Sequence, residues 1–147
     1  GYYNHPQLDG EVFFYFCEGR KWLKTGDIGY MDDEGYVYFV DREKRMVKIS
    51  GVNVYPQEIE DCVKLFDGVR MSCAIPFEED GKNYLKLYVV LDKGATFDEE
   101  FKKNLKEYIS SRLLKYNVPK IIENADTLPL TQIGKVDFKK LQESIKQ

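Results

Sequence analysis

The chain has 147 residues, 43% of them hydrophobic and 14% aromatic, with 22 Lys and Arg against 25 Asp and Glu for a formal net charge of −3. That is enough apolar material for one ordinary domain, or for a small domain with a piece of another. The slightly acidic balance speaks against a nucleic-acid binder, and no apolar run approaches the roughly 20 residues that span a bilayer.

The first twenty residues hold Asp9, Glu11 and Glu18 and lack the plan of a signal peptide, so a cytoplasmic protein is expected. Residues 11–16 (EVFFYF) predict a short aromatic strand that breaks at Gly19-Arg20. Residues 28–40 predict a hairpin, with strands 28–31 and 36–40 around the turn Asp32-Asp33-Glu34-Gly35. A calcium loop is excluded at that turn, because aromatic strand follows Gly35 at once and the ligands of a twelve-residue loop are missing. Asp41-Arg42 closes the strand, and residues 42–45 form a charged joint. Residues 46–55 then read as a second hairpin, with Val47 and Ile49 alternating against Lys48 and Ser50 and Gly51 at the turn.

Pro56 suits the first position of a helix, where its missing N–H leaves nothing unsatisfied. Ile59, Cys62, Val63 and Phe66 repeat at helical spacing up to a stop at Asp67-Gly68. Strands are expected at 70–77 and 84–91 around a polar turn at 78–83. Leu85, Leu87, Val89 and Leu91 face a core, and the face of Tyr84, Lys86 and Tyr88 is expected to be partly wet. Asp98 to Glu100 open the longest helix, with an apolar stripe of Phe101, Leu105, Tyr108, Ile109 and Leu113. Its Lys102, Lys103 and Lys106 are expected to be a solvated face. Residues 120–123 predict a third short strand, 128–136 a loop without a periodic apolar face, and 137–146 an amphipathic helix with Phe138, Leu141 and Ile145 inward. Cys17, Cys62 and Cys73 fit neither a disulfide framework nor a C-x-x-C site and are expected to be buried. His5 has no chemical partner beside it in sequence, and no catalytic role is expected for it.

The fold class that follows is α+β: a small antiparallel sheet with packed helices over residues 42–147, preceded by β-strands over 1–41. The early strands have no helix to cover them and read as the end of a larger upstream domain. A start at Gly1 rather than Met fits a piece cut from a longer protein.

The run Gly1-Tyr2-Tyr3-Asn4, WLKTGD at 22–27, DREK at 41–44, SGVNVYPQEIE at 50–60, KYNVPK at 115–120 and LPLTQIGKVD at 128–137 lies in one order along the whole chain. Together these motifs resemble the C-terminal portion of the adenylate-forming enzymes: acyl-CoA synthetases, luciferases and peptide-synthetase adenylation domains. The resemblance implies a ligase in which a carboxylate attacks the α-phosphate of ATP, giving an acyl-adenylate, and a thiol then displaces AMP. It implies that Lys135 is the catalytic lysine of adenylation, that Asp27 and Arg42 face the nucleotide, and that Lys44 is a hinge on which the small domain turns. It also implies that the hairpin of Lys48, Ser50 and Gly51 faces the incoming thiol. From composition alone, Asp27 would be a turn cap, Arg42 one half of a surface ion pair, and Lys44 and Lys135 solvated lysines.

Lys44 and the sequence from Val52 to Pro56 resemble fatty-acyl-CoA ligases more than peptide-synthetase domains. Ser50 stands where several aryl-CoA ligases and luciferases have a second lysine. The implied cofactors are ATP, Mg2+ and coenzyme A, with no metal ligands in this chain. The implied partners are the upstream domain and a small carboxylic acid. No glycine-rich loop opens a helix here, so the phosphate loop and acyl pocket are expected upstream and the isolated chain is expected to be inactive. Two alternatives are an adenylation domain that loads a carrier protein, and a stand-alone binding module with Tyr36 and Tyr38 on a partner surface.

Overall fold

The computed structural model describes residues 1–145 and divides into two compact units, Gly1–Lys44 and Arg45–Gln147. In the first unit, Pro6 starts a 3-10 turn that runs into one helical turn, α1 (Asp9–Val12). The strand expected from residue 11 therefore begins only at Phe13. Asp9 is drawn into that turn, its carboxylate accepting the N–H of Tyr2 at 2.9 Å. Strand β1 (Phe13–Phe16) pairs antiparallel with β2 (Arg20–Leu23), a strand the sequence reading did not include. All four β2 residues are exposed in this unit, so no alternation marks them. The turn between the two holds Cys17 and Glu18 at φ 44° and 56°, and Cys17 is exposed rather than buried.

The second hairpin joins β3 (Asp27–Met31) to β4 (Val37–Arg42). Its acidic turn is held by Asp32, whose carboxylate accepts from the N–H groups of Glu34 and Tyr36 and from the Tyr38 hydroxyl at 2.9–3.1 Å. Partial burial pushes the Asp32 carboxyl upward. The hydrogen bonds from Tyr36, Tyr38, Glu34 and Gly35 outweigh it and leave the group below its ordinary value.

The second unit opens with β5 (Val47–Ile49) and β6 (Val52–Val54). Ser50 and Gly51, at φ 50° and 84°, are both left-handed, which is the two-residue turn whose twist matches the flanking strands. Helix α2 (Pro56–Val63) has Pro at its start as expected. It ends four residues short of the expected stop, its last turn tightening through bonds such as Leu65 N–H to Cys62 O. Phe66 still reaches the core, edge-on to Phe101 and Tyr108.

Strands β7 (Val69–Glu79) and β8 (Lys82–Leu91) are longer than the hydrophobic pattern suggests. Asp80 and Gly81 alone make the turn, so Glu78, Glu79, Lys82 and Asn83 stay in the ladder. Helix α3 (Glu99–Ser110) is capped by Asp98, which accepts the Phe101 N–H at 2.7 Å. On its exposed side Lys102 pairs with Glu99. Strand β9 (Ile121–Asn124) joins β8 in parallel, giving the order β7-β8-β9. The expected third strand thus exists, but α3 supplies the long crossover that a parallel neighbour needs. Helix α4 (Phe138–Ile145) closes the described chain. Lys146, expected to end that helix, and the inward side chain expected of Ile145 lie outside the described residues.

Two apolar clusters sandwich the sheet. Leu85, Leu87 and Val89 meet Ile59 and Val63 of α2, Leu105 and Ile109 of α3, and the hairpin residues Val47, Ile49 and Val54. The opposite face is covered in part: Cys73, Ile75 and Val90 pack with Leu128 and with Leu141 of α4, while Tyr84, Lys86 and Tyr88 stay partly exposed, as expected. Each fully buried aliphatic side chain contributes about 1.5–3 kcal/mol. The result is the expected α+β arrangement, and among the described residues no helix is long and apolar enough to cross a membrane.

Candidate functional site

In the first unit, strand pairing sets Asp27 opposite Arg42. Their side chains meet at 2.6 Å, from Arg42 Nη1 to Asp27 Oδ1, and the same nitrogen donates to the Thr25 carbonyl at 3.3 Å. Asp27 is fixed from below as well, its N–H donating to Thr25 Oγ1. At 59% and 37% side-chain exposure the pair adds only about 0–1 kcal/mol to stability. What it does is orient an acceptor-only carboxylate and leave its second oxygen open to a hydroxyl donor. Beside it, Thr25, Tyr30, Met31, Tyr38 and Phe39 line an open, mainly apolar hollow of about 510 Å³. Tyr30 and Tyr38 are stacked there with centroids 5.0 Å apart. Asp41, which the sequence reading treated only as a strand end, is 1% exposed and accepts the Arg42 N–H at 2.7 Å. Its signal was a carboxylate at the end of an otherwise apolar strand.

Lys44 lies in the 3-10 turn Glu43–Arg45 and is exposed, the last residue of the first unit. Arg45, the first of the second unit, behaves quite differently. Its side chain is 11% exposed and its Nη2 meets Glu60 Oε1 at 2.5 Å, with Nη1 on Glu60 Oε2 and Gln57 Oε1 at 3.2 Å. Nothing in the sequence separated Arg45 from the other charges of the joint. The β5–β6 hairpin holds Lys48, Ser50 and Gly51 exposed, and Asn83 Nδ2 ties it to β8 by donating to the Lys48 carbonyl at 3.0 Å.

Lys135 sits in a loop that its own backbone closes. Leu130 and Val136 form an antiparallel bridge. Inside it, Thr131 N–H donates to Lys135 O at 2.7 Å, Gly134 N–H to Thr131 O at 2.9 Å, and Lys135 N–H to Thr131 Oγ1 at 3.2 Å. Gly134 is left-handed at φ 78°, the conformation that lets the chain reverse just before the lysine. Lys135 is exposed, and among the described residues its ammonium makes no ion pair. It lines a groove of about 620 Å³ with Arg45, Gln57, Glu60, Lys64 and Arg70. Lys48, Ser50 and Gly51 do not line that groove. The expected residues thus fall into four places: Asp27 with Arg42, and Lys44, in the first unit, and the hairpin and the lysine loop in the second.

Residues 58–135 match the family described as the AMP-binding enzyme C-terminal domain. The chain belongs to that family. The match begins inside α2 and ends on Lys135 itself. The long-chain-fatty-acid–CoA ligase of Bacillus subtilis (strain 168) is 37% identical over 97% of this chain, which spans 24% of that relative's length. Among solved structures, the ATP-bound RpMatB-BxBclM chimera B1 aligns with all of this chain and 28% of its own, at a TM-score of 0.86 and 31% identity. ATP-bound MatB from Rhodopseudomonas palustris aligns with all of this chain and 28% of its own, at 0.83 and 32%. The chain thus spans about a quarter of the length of the relatives it matches.

Proposed function

We propose that the protein carrying this chain is an ATP-dependent, AMP-forming acid–thiol ligase, with residues 42–147 as its mobile C-terminal domain and 1–41 as the last strands of the large domain before it. The observation that carries this reading is the braced loop that holds an exposed Lys135, without an ion pair among the described residues, at the end of the family-matched segment.

In the first half-reaction a carboxylate oxygen attacks the α-phosphorus of ATP. The bond to the bridging oxygen breaks and pyrophosphate leaves. Negative charge gathers on the attacking and phosphoryl oxygens, and the Lys135 ammonium neutralises it. Asp27, steadied by Arg42, accepts hydrogen bonds from the ribose hydroxyls. In the second half-reaction the sulfur of a thiol, having lost its proton, attacks the acyl carbonyl and AMP leaves. Between the two, the domain turns at Lys44 and presents the hairpin of Lys48, Ser50 and Gly51 to the thiol. Support for that pivot comes from the boundary between the two compact units, which falls between Lys44 and Arg45. A hinge needs only a few such element-terminal residues.

Coenzyme A is our choice of thiol and a fatty acid our choice of acid, in keeping with the name of the Bacillus relative. The relatives do not favour the carrier-protein and stand-alone binding readings. Mg2+ belongs with the ATP phosphates, and among the described residues no cluster of His, Cys, Asp or Glu is arranged to hold a metal ion. A cytoplasmic location, where ATP and coenzyme A are available, is part of the same proposal. The test is ATP–pyrophosphate exchange by the full-length protein across fatty, aryl and amino acids. Exchange that depends on a fatty acid is expected, and a folded protein that exchanges with none of them overturns the reading.

A further inference from the structure

We propose that Arg45 is a positioning residue for Lys135: one guanidinium fastens the backbone just past the joint to the frame that carries the lysine loop. The inference rests on the role given to Lys135 above.

Arg45 grips Glu60 of α2 with both of its terminal nitrogens, at 2.5 and 3.2 Å, and also Gln57 at 3.2 Å. Glu60 is itself only 14% exposed, and its Oε1 accepts a further bond at 2.8 Å from the N–H of Ala74 in β7. The guanidinium carbon also lies 5.4 Å from the ring centroid of Phe138, within the range of a cation–π contact. Phe138 opens α4 three residues past Lys135 and packs on the second apolar cluster. Arg45 and Lys135 line the same groove.

Arg45 therefore joins the joint to α2 and to the downstream anchor of the lysine loop, and through Glu60 to β7. A planar fork on a carboxylate fixes direction as well as distance, which a single ammonium does not. When the domain turns at Lys44, Arg45 is the first residue to move with it, and its grip makes the loop move as part of the same body. Adenylation needs Lys135 placed to within a fraction of an ångström. The thiol step, which presents another surface of the domain, does not.

The test compares full-length wild type with Lys135→Ala, Arg45→Met, Arg45→Lys and the Lys135→Ala/Arg45→Met double variant. The acid is the one that supports wild-type exchange. Two readouts are needed: ATP–pyrophosphate exchange, and thioester formation from the synthetic acyl-adenylate and coenzyme A. Arg45→Met is expected to slow exchange about 10- to 100-fold, the scale of a small misplacement of a reacting group. Thioester formation from the adenylate should stay within about twofold, and the double variant should be no slower in exchange than Lys135→Ala alone. Arg45→Lys should recover part of the exchange. It also supplies the same comparison should Arg45→Met fail to fold. Equal loss in both half-reactions, or loss in neither, overturns the positioning role while leaving Lys135 in place. If Lys135→Ala itself keeps full exchange, the assignment of Lys135 falls and this proposal with it.

Discussion

Lys135 is exposed, and its backbone, not its side chain, holds the loop together. Replacing it should therefore separate chemistry from stability. In the full-length protein Lys135→Ala is expected to slow adenylation about 10²–10³-fold, as loss of one transition-state donor does, while the thermal midpoint stays at the wild-type value. A single-turnover assay of acyl-adenylate formation beside a melting curve checks both halves. The lysine was legible in sequence only through its neighbours, since Gly-Lys in a loop is otherwise unremarkable. Arg45 was not legible at all. Its partner Glu60 lies fifteen residues away on a different element, and no short-range pattern links two charges across a fold.

Elements with a strong local cause were readable, and those with a tertiary cause were not. Helix α3 shows its apolar stripe and its Asp98 cap openly. Asp98→Ala should remove one hydrogen bond from the helix start and lower stability by about 1 kcal/mol, read as a shift in the urea midpoint with an unchanged slope. The turn Ser50-Gly51 was likewise visible from its glycine. By contrast, the direction of β9 is set by how α3 crosses the sheet, and four residues after a proline carry no sign of whether they run parallel or antiparallel. Strand β2 escaped notice because its residues are all exposed in this unit. The end of α2 was misplaced because Phe66 continues the helical period although the backbone has already left the helix.

At the scale of the whole second unit, the buried thiol of Cys73 links stability to pH. Burial first, and then the carboxylate of Glu60, push it from 9.0 up to about 12, against a smaller pull from Arg45. The folded thiol stays protonated where the unfolded one ionises. Its contribution to stability is complete below pH 9.0 and is lost as pH rises from there toward about 12. The thermal midpoint is expected to fall between about pH 8.5 and about pH 10.5, and to fall less steeply in Cys73→Ala. A Cys73→Ala variant that melts with the same pH slope as wild type would remove Cys73 as the cause.

The lower face of the β7–β8–β9 sheet is roofed by Leu128 and Leu141, residues that flank the Lys135 loop. During synthesis on the ribosome, Cys73, Ile75 and Val90 therefore wait bare until residues 128–141 have emerged. A chain cut short before Leu128 is expected to leave that apolar sheet face exposed.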